Sequence, residues 1–411
     1  MKRVLWIGDG VTPTGFSTVN HNIIKNLPEG EYEVHHIAIN YFGDPHPYDH
    51  LVYPAITPQS LQMGDVYGFT RIREMLPAMK PDIVFILNDI WVIKQYLEVI
   101  KELKLEELPK IVVYFPVDGA SYYSGWFKDF DIVTRAVVYT EFGKDVVLEA
   151  APQLQGKLEI IPHGTDTTVF YPKDKIELKK KVFSKIPNLW EDDAFIVLNV
   201  NRNQPRKMLN LALEGFALFA AGKPENVRYY HHAGLRDAGW DILRLVQQID
   251  KEFIKTGILT SSDMRLEQRL MVTNLEQNVQ RISLEELNDI YNSADVGINT
   301  SLGEGWGLTS TEHAATHVAQ IVPNHTACAE LFGDCGMLTS LILSISDTQT
   351  LLKRGYIDTK HLASQLEQLY EDKELRSSLA QKGYEKFTSS TYQWSTIAQI
   401  WHRLFTEVLN N

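Results

Sequence analysis

Cysteine is nearly missing from this chain: two residues among 411, Cys328 and Cys335. No CxxC pair occurs, which argues against a zinc knuckle or a disulfide framework and leaves two structural thiols suited to a reducing cytoplasm. No run approaches the roughly 18 apolar residues that span a bilayer. The opening apolar run ends at Gly8-Asp9, too early for a secretory leader. Any membrane contact would then be peripheral. Positive charge is in deficit, with 40 Lys and Arg against 52 Asp and Glu and a net charge of −12. A protein that grips duplex DNA over a broad surface is disfavoured, although a local basic groove is not. HExxH, GxGxxG, short-period repeats and low-complexity tracts are also lacking.

What is present is ordinary for a globular chain, 44% hydrophobic and 22% charged, and the length suits two domains. Short runs rich in Val and Ile alternate with helical patterns. Strands are expected at 3–7, 34–39, 83–87, 111–115, 136–139 and 158–161. They resume at 195–200, 227–231, 279–282, 296–299 and 320–322. These runs alternate little, as strands covered on both faces do. Helices are expected between them, at 18–26, 71–79, 210–220 and 285–291. The β-α-β-α order implies parallel sheets and an α/β fold of two Rossmann-like domains. The pattern breaks at Pro172 and the lysine-rich stretch after it. We therefore expect one domain over 1–171 and a second over 172–391. Residues 362–386 read as charged helix. The amphipathic segment 392–411, with Trp394, Ile397, Ile400, Trp401 and Leu404 on one side, is expected to pack back on the first domain.

The most informative stretch is Gly303-Glu304-Gly305-Trp306-Gly307-Leu308-Thr309-Ser310-Thr311-Glu312. It follows a strand and leads into a helix. Such a turn offers backbone amides and the positive end of a helix to an anion. Glu304 and Glu312 add two carboxylates that accept from paired hydroxyls. A ligand with both phosphate and polyol parts fits, and a nucleotide-sugar is one.

Other candidates border the same strand ends. Asn201-Arg202-Asn203-Gln204-Pro205-Arg206-Lys207 follows the first strand of the second half, where α/β sheets bind ligands. Two fixed cations there could stabilise a departing pyrophosphate, against the plain reading of a solvated basic turn. Gly8-Asp9-Gly10 through Gly15 is either a phosphate or sugar edge or a tight turn. Asp118 is either a contact for hydroxyls or a turn former before Gly119. Pro162-His163-Gly164-Thr165-Asp166 reads as a structural joint. Asp129-Phe130-Asp131 spells DxD yet precedes a strand, and His313 and His317 form an HxxxH pair without a following Glu. Both are read as structure, with no metal site.

Together these residues resemble family 4 of the retaining nucleotide-sugar glycosyltransferases, of GT-B architecture, across nearly the whole chain. Glu304 and Glu312 match the family's E-x7-E motif, and Ser283-Leu284-Glu285-Glu286-Leu287, Tyr291 and Ala294-Asp295-Val296 its lead-in. Arg202 and Lys207 stand five apart, like the family's phosphate-binding pair. Pro162 to Phe170 is similar to its joint motif. The family usually has His at the position of Asp118 and Gly at that of Asn201.

The resemblance implies two domains facing a cleft. It implies that Gly15 approaches the donor diphosphate and that Arg202 and Lys207 neutralise it as it leaves. Glu304 would touch the donor sugar, helped by backbone at Trp306, Gly307, Leu308 and Thr309, and Glu312 would hold the ribose. The expected reaction is metal-independent transfer of a sugar from a nucleoside diphosphate to an acceptor hydroxyl, with retention and no cofactor. A sugar-nucleotide epimerase and a non-catalytic nucleotide-sugar-binding module are the alternatives. The acceptor, a glycan, lipid-linked sugar or small molecule with nucleic acid less favoured, is expected at residues 41–48 and at the aromatic run 122–126. The donor's base and sugar stay open.

Overall fold

The computed structural model describes residues 1–234, 237–273 and 282–410. The chain divides into two compact units, Met1–Gly164 with Ser390–Asn411, and Thr165–Ser389. The division falls earlier than the 171/172 boundary read from Pro172. Residues 165–173 are held within the second unit: the Tyr171 amide donates to Asn288, and Lys173 pairs with Asp289.

The first unit is built on seven parallel strands: β1 (Lys2–Asp9), β2 (Tyr32–Ile39), β3 (Leu51–Pro54), β4 (Ile83–Leu87), β5 (Lys110–Tyr114), β6 (Arg135–Val138) and β7 (Leu158–Ile160). Their order is β3-β2-β1-β4-β5-β6-β7, with every neighbouring pair parallel. β1 and β4 are buried along almost their whole length, so their side chains are apolar on both faces rather than alternating. The helix Trp394–Asn410 belongs to this unit. Its Trp401 and Phe405 pack edge-on against Phe85 of β4. On β1, Trp6 stacks on Phe85 and gives its indole N–H to Asn20 of the helix Gly15–Asn26.

The second unit repeats the plan with β8 (Phe195–Asn199), β9 (Val227–His231), β10 (Leu270–Val272), β11 (Val296–Ile298), β12 (Ala319–Pro323) and β13 (Met337–Thr339). Their order is β10-β9-β8-β11-β12-β13. An antiparallel hairpin of β14 (Leu341–Ser346) and β15 (Lys353–Ile357) follows, which the sequence pattern does not announce. On one side of the main sheet the helix Leu209–Ala220 and the helix Thr359–Glu371 share a core with Val197, Val296 and Ile321. The 362–386 stretch is two helices, Thr359–Glu371 and Lys373–Thr388, because Asp372 caps the second. The strand expected at 279–282 lies outside the described residues except for Ile282.

The lysine-rich stretch begins the helix Lys175–Val182, capped by Asp174. Three of its lysines pair with buried carboxylates. Lys175 and Lys179 pair with Asp295, and Lys181, like Lys173, pairs with Asp289.

Candidate functional site

β8 and β11 are adjacent and parallel, so the loops leaving their C-terminal ends emerge together. After β8 the chain makes a short 3-10 turn, Pro205–Lys207, and Met208 takes a left-handed conformation that redirects it into the helix Leu209–Ala220. After β11 it runs through Asn299, Thr300 and Ser301 into the glycine-rich turn. The two loops clasp through backbone: the Leu302 amide donates to the Arg206 carbonyl at 2.8 Å, and the Thr300 hydroxyl to the carbonyls of Lys207 and Met208.

This clasp brings Lys207 onto Glu304, both nearly buried. The carboxylate is fully engaged. Its Oε1 accepts from Lys207 Nζ, from the Ser301 hydroxyl at 2.6 Å and from Asn299 Nδ2 at 3.3 Å. Its Oε2 faces Arg206 Nη1 at 3.4 Å. The Glu304 amide donates to the Thr326 hydroxyl. Burial works to raise the Glu304 carboxyl, but the adjacent Lys207 and Arg206 charges outweigh it and hold it at about 2. Burial lowers the Lys207 ammonium, and Glu304 opposes that shift. Glu304 is ionised at neutral pH.

Gly307 has φ of 94°, a conformation that favours glycine, and precedes the helix Leu308–Ala314. Trp306 beside it is buried, while Leu308 and Thr309 are partly exposed. Glu312, on the same short helix, is half-buried and accepts from the Tyr291 hydroxyl at 3.2 Å. Burial pushes its carboxyl up to about 8, with the Tyr291 hydrogen bond pulling the other way. His313 is buried against Tyr291, stacked at 4.8 Å between ring centroids and bonded to its carbonyl. His317 instead bonds Gln381, so the HxxxH pair does not converge. Among the described residues no three His, Cys, Asp or Glu side chains stand together in a way that could hold a metal ion.

Arg202 stands apart from this cluster. Its guanidinium makes a two-toothed pair with Asp237, at 2.6 and 3.2 Å, and its side chain is 64% exposed. Arg206, which the five-residue spacing passes over, is the arginine beside Glu304. Asp237, Ser301, Asn299 and Thr326 also escape a motif reading. Ser301 and Asn299 were within reach, as the polar residues that directly follow a buried strand.

The remaining sequence candidates lie in the first unit. Gly15 is exposed at the start of its helix, which Thr14 caps by accepting from the Ser17 amide. Gly10 is required by close approach, since a Cβ there would sit 2.3 Å from the Ala38 Cβ. Asp118 lies past β5 and is partly exposed. Asp129 and Asp131 share one counter-ion, Lys101. His163 is buried among Tyr114, Tyr139 and Trp394, and Gly164 packs directly on Trp394. In the expected acceptor segments, Tyr48 stacks on His21 at 3.4 Å, Trp126 packs against Tyr122, and Tyr123 is exposed.

No protein-family model matches the chain. Among curated proteins, mannosylfructose-phosphate synthase of Agrobacterium fabrum is 23% identical over 258 residues. That match covers 62% of this chain and 49% of the relative, so the chain spans about half the length of the curated relative it matches. Solved structures align along the whole chain. Sucrose-phosphate synthase from Thermosynechococcus elongatus superposes with a TM-score of 0.70 at 16% identity, covering 100% of both chains. A glycosyltransferase from Rickettsia africae gives 0.71 at 13%, covering 100% of this chain and 99% of that one. Anabaena HepE, solved with UDP and glucose, gives 0.69 at 14%, covering 99% and 100%. The fold is therefore GT-B, with two Rossmann-like α/β domains.

Proposed function

We propose that this chain is a retaining glycosyltransferase of the family-4 type, moving a sugar from a nucleoside diphosphate, UDP for preference, to an acceptor hydroxyl. The observation that carries the reading is the contact of Lys207 with Glu304 at the adjoining ends of β8 and β11. In sugar transfer the sugar carbon becomes cationic while negative charge grows on the departing diphosphate. A fixed ammonium in a poorly hydrated pocket stabilises that charge without reorganising. Glu304, kept ionised by its cations, is an acceptor for the sugar's hydroxyls. Glu312 beside Tyr291 suits a ribose diol.

The relatives support the same chemistry: their names describe synthases of sugar phosphates, and one neighbour was solved with UDP and glucose. In this reading Gly15 and the backbone at 306–309 approach the diphosphate, Asp118 meets a sugar hydroxyl, and transfer needs neither metal nor cofactor. The acceptor is a glycan, a lipid-linked sugar or a small hydroxylated molecule, with nucleic acid less favoured. Cys328 and Cys335 are both buried free thiols, which suits a cytoplasmic setting.

Screening UDP-, GDP-, ADP- and CDP-sugars for donor hydrolysis and transfer tests the reading. Lys207→Ala and Glu304→Ala should each lower turnover by about a hundredfold, the scale of losing one transition-state partner. Altered sugar-nucleotide without an acceptor product would indicate epimerisation. Binding without turnover for every donor would leave a non-catalytic module.

A further inference from the structure

Exposed apolar side chains of the first unit gather at the C-terminal end of its sheet. Phe42 lies in the segment that leaves β2, and Leu61, Met63 and Val66 in the stretch that joins β3 to the helix Phe69–Met79. All four are exposed, Phe42 at 71% and Met63 at 70%. β2 and β3 are adjacent and parallel, so both segments leave the sheet at the same end. The order β3-β2-β1-β4-β5 changes direction between β1 and β4, and in such sheets ligands bind past the C-terminal ends of the strands.

Loose structure does not account for the exposure. Residues 57–68 are tied down by their own hydrogen bonds. Around the short helix Pro58–Gln62, the Thr57 amide donates to the Ser60 hydroxyl and the Ser60 amide to the Thr57 hydroxyl. Asp65 accepts from the amides of Gly68, Phe69 and Thr70 at 2.7, 3.0 and 2.7 Å. Gly68 has a left-handed φ of 82° and lies so close to Ala55 that a Cβ there would sit 2.9 Å from the Ala55 Cβ. The local fold thus holds Leu61, Met63 and Val66 outward. Three apolar side chains within six residues form a cluster, unlike the single exposures scattered over ordinary surfaces.

Charge at this end has one sign. Residues 10–14, 40–50, 55–68, 88–89, 115–123, 139–140 and 161–164 carry the chain away from the C-terminal strand ends, and none is Lys or Arg. Cations stand at the opposite end, where Lys2 and Arg3 open β1, Lys110 opens β5 and Arg135 opens β6. Asp44 and Asp49 are exposed in the segment after β2. A phosphate group meets carboxylates there and no cation from these segments, whereas an uncharged apolar group meets matching surface.

We propose that the acceptor is a sugar bearing an apolar, phosphate-free aglycone, and that Phe42, Leu61, Met63 and Val66 hold the aglycone. This rests on the reading of the chain as a glycosyltransferase and specifies the acceptor. It sets the chain apart from the sugar-phosphate synthases it resembles, whose names give products that carry phosphate.

Calorimetric titration of methyl, hexyl and octyl β-glucosides, below micelle formation, and of glucose 6-phosphate tests the proposal. The proteins are wild type, Phe42→Ser, the double variant Leu61→Ser with Met63→Ser, and the control Leu108→Ser. Leu108 is exposed just before β5, at the opposite end. All four side chains are exposed, so polar replacement leaves the core intact. Octyl glucoside should bind wild type at least about tenfold tighter than methyl glucoside, since each methylene covered is worth about fourfold. The double variant should lose about tenfold for octyl glucoside and little for methyl glucoside. Leu108→Ser should match wild type. Glucose 6-phosphate should bind no tighter than methyl glucoside.

Affinity independent of chain length would overturn the proposal, as would a strong preference for glucose 6-phosphate. An equal loss in Leu108→Ser would mark the chain effect as unspecific and overturn it too. Sedimentation with phosphatidylcholine vesicles that the double variant abolishes, without any chain-length effect, would make this end of the sheet a membrane contact instead. UDP titrated into the same samples keeps the two readings apart. Binding of UDP without a chain-length effect would retain the nucleotide-sugar reading and sink this one. A chain-length effect without binding of UDP would sink the nucleotide-sugar reading and leave an apolar ligand site.

Discussion

Lys207 and Glu304, 97 residues apart in sequence, form a nearly buried ion pair that joins the loops after β8 and β11. Removing one member leaves the other charged and poorly hydrated. Glu304→Ala strands Lys207 beside Arg206, and that loss should cost about 3 kcal/mol of folding free energy, the range for breaking a buried pair. Lys207→Met should cost less, because Arg206, Ser301 and Asn299 still serve the carboxylate. The double variant should lose less than the sum of the two. Denaturant unfolding of all three measures this, and additive losses would mean that the two side chains act independently.

Glu312 gives the site a pH signature. Its carboxyl is raised to about 8, chiefly by burial, so it is protonated at neutral pH before a nucleotide binds. A ribose diol donates best to the ionised form. Nucleotide affinity should therefore rise as pH climbs through about 8, with proton release on binding below that pH. Tyr291→Phe removes the hydrogen bond that lowers the carboxyl, so the rise should move to higher pH. Glu312→Gln should abolish it. For stability the sign is reversed. An unfolded glutamate ionises near 4.5 while the folded one resists, so this group's contribution is complete below about 4.5 and is lost as pH rises through about 8. Calorimetry across about pH 6–9 in two buffers reads the affinity change and the proton release together.

Much of this was legible in the chain itself. The strands β1, β4 and β8 appear in the sequence as unalternating Val- and Ile-containing runs because helices cover both faces of the sheet. The E-x7-E spacing locates Glu304 and Glu312 because a turn leading into a helix is a local device. The strands β3, β10 and β13 are three or four residues long and lie at sheet edges, so they are too short to show a period. The hairpin exposes Ile342, Leu343 and Ile345, which removes the in-and-out contrast that betrays a strand. Which arginine faces Glu304 is a different kind of question. Spacing favours Arg202, but the outcome is set by Asp237, 35 residues further on, and by the 3-10 turn that aims Arg206. Neither has a periodic signal.

In the first unit, neutral imidazoles gather where the segment 41–50 lies against the sheet. His36 of β2 approaches His50 Nε2 at 3.4 Å, and His21 bonds the Gly10 carbonyl and stacks on Tyr48. Burial lowers His21 and His50 to about 4, with His46 adding repulsion, and puts His36 well below its ordinary 6.5. The nearby Asp9 is turned to Thr14 and Asn40 and offers the rings no counter-charge. Unfolded histidines take up protons near 6.5. Stability should therefore fall as pH drops from about 6.5 to about 4, by roughly 1.4 kcal/mol per unit for each histidine kept neutral. His50→Asn should flatten the dependence by about one proton in urea unfolding at stepped pH. An unchanged slope would mean that His50 is protonated in the folded chain.

Gly307 tests how firmly the turn is held. A Cβ there would meet Glu304 Cγ at 3.9 Å and Cys328 Sγ at 4.0 Å, ordinary contact distances, so space is not the obstacle. The backbone is: φ of 94° disfavours any residue with a Cβ. Gly307→Ala should cost about 1–2 kcal/mol of stability from conformation alone. Gly307→Asn should cost less, because asparagine tolerates left-handed backbone better. If the turn relaxed to relieve the strain, Glu304 would move with it, and turnover would fall further than the stability loss explains. Denaturant unfolding paired with turnover separates the two. Equal stability of the alanine and wild-type proteins would show that the turn can reach an ordinary φ without disturbing Glu304.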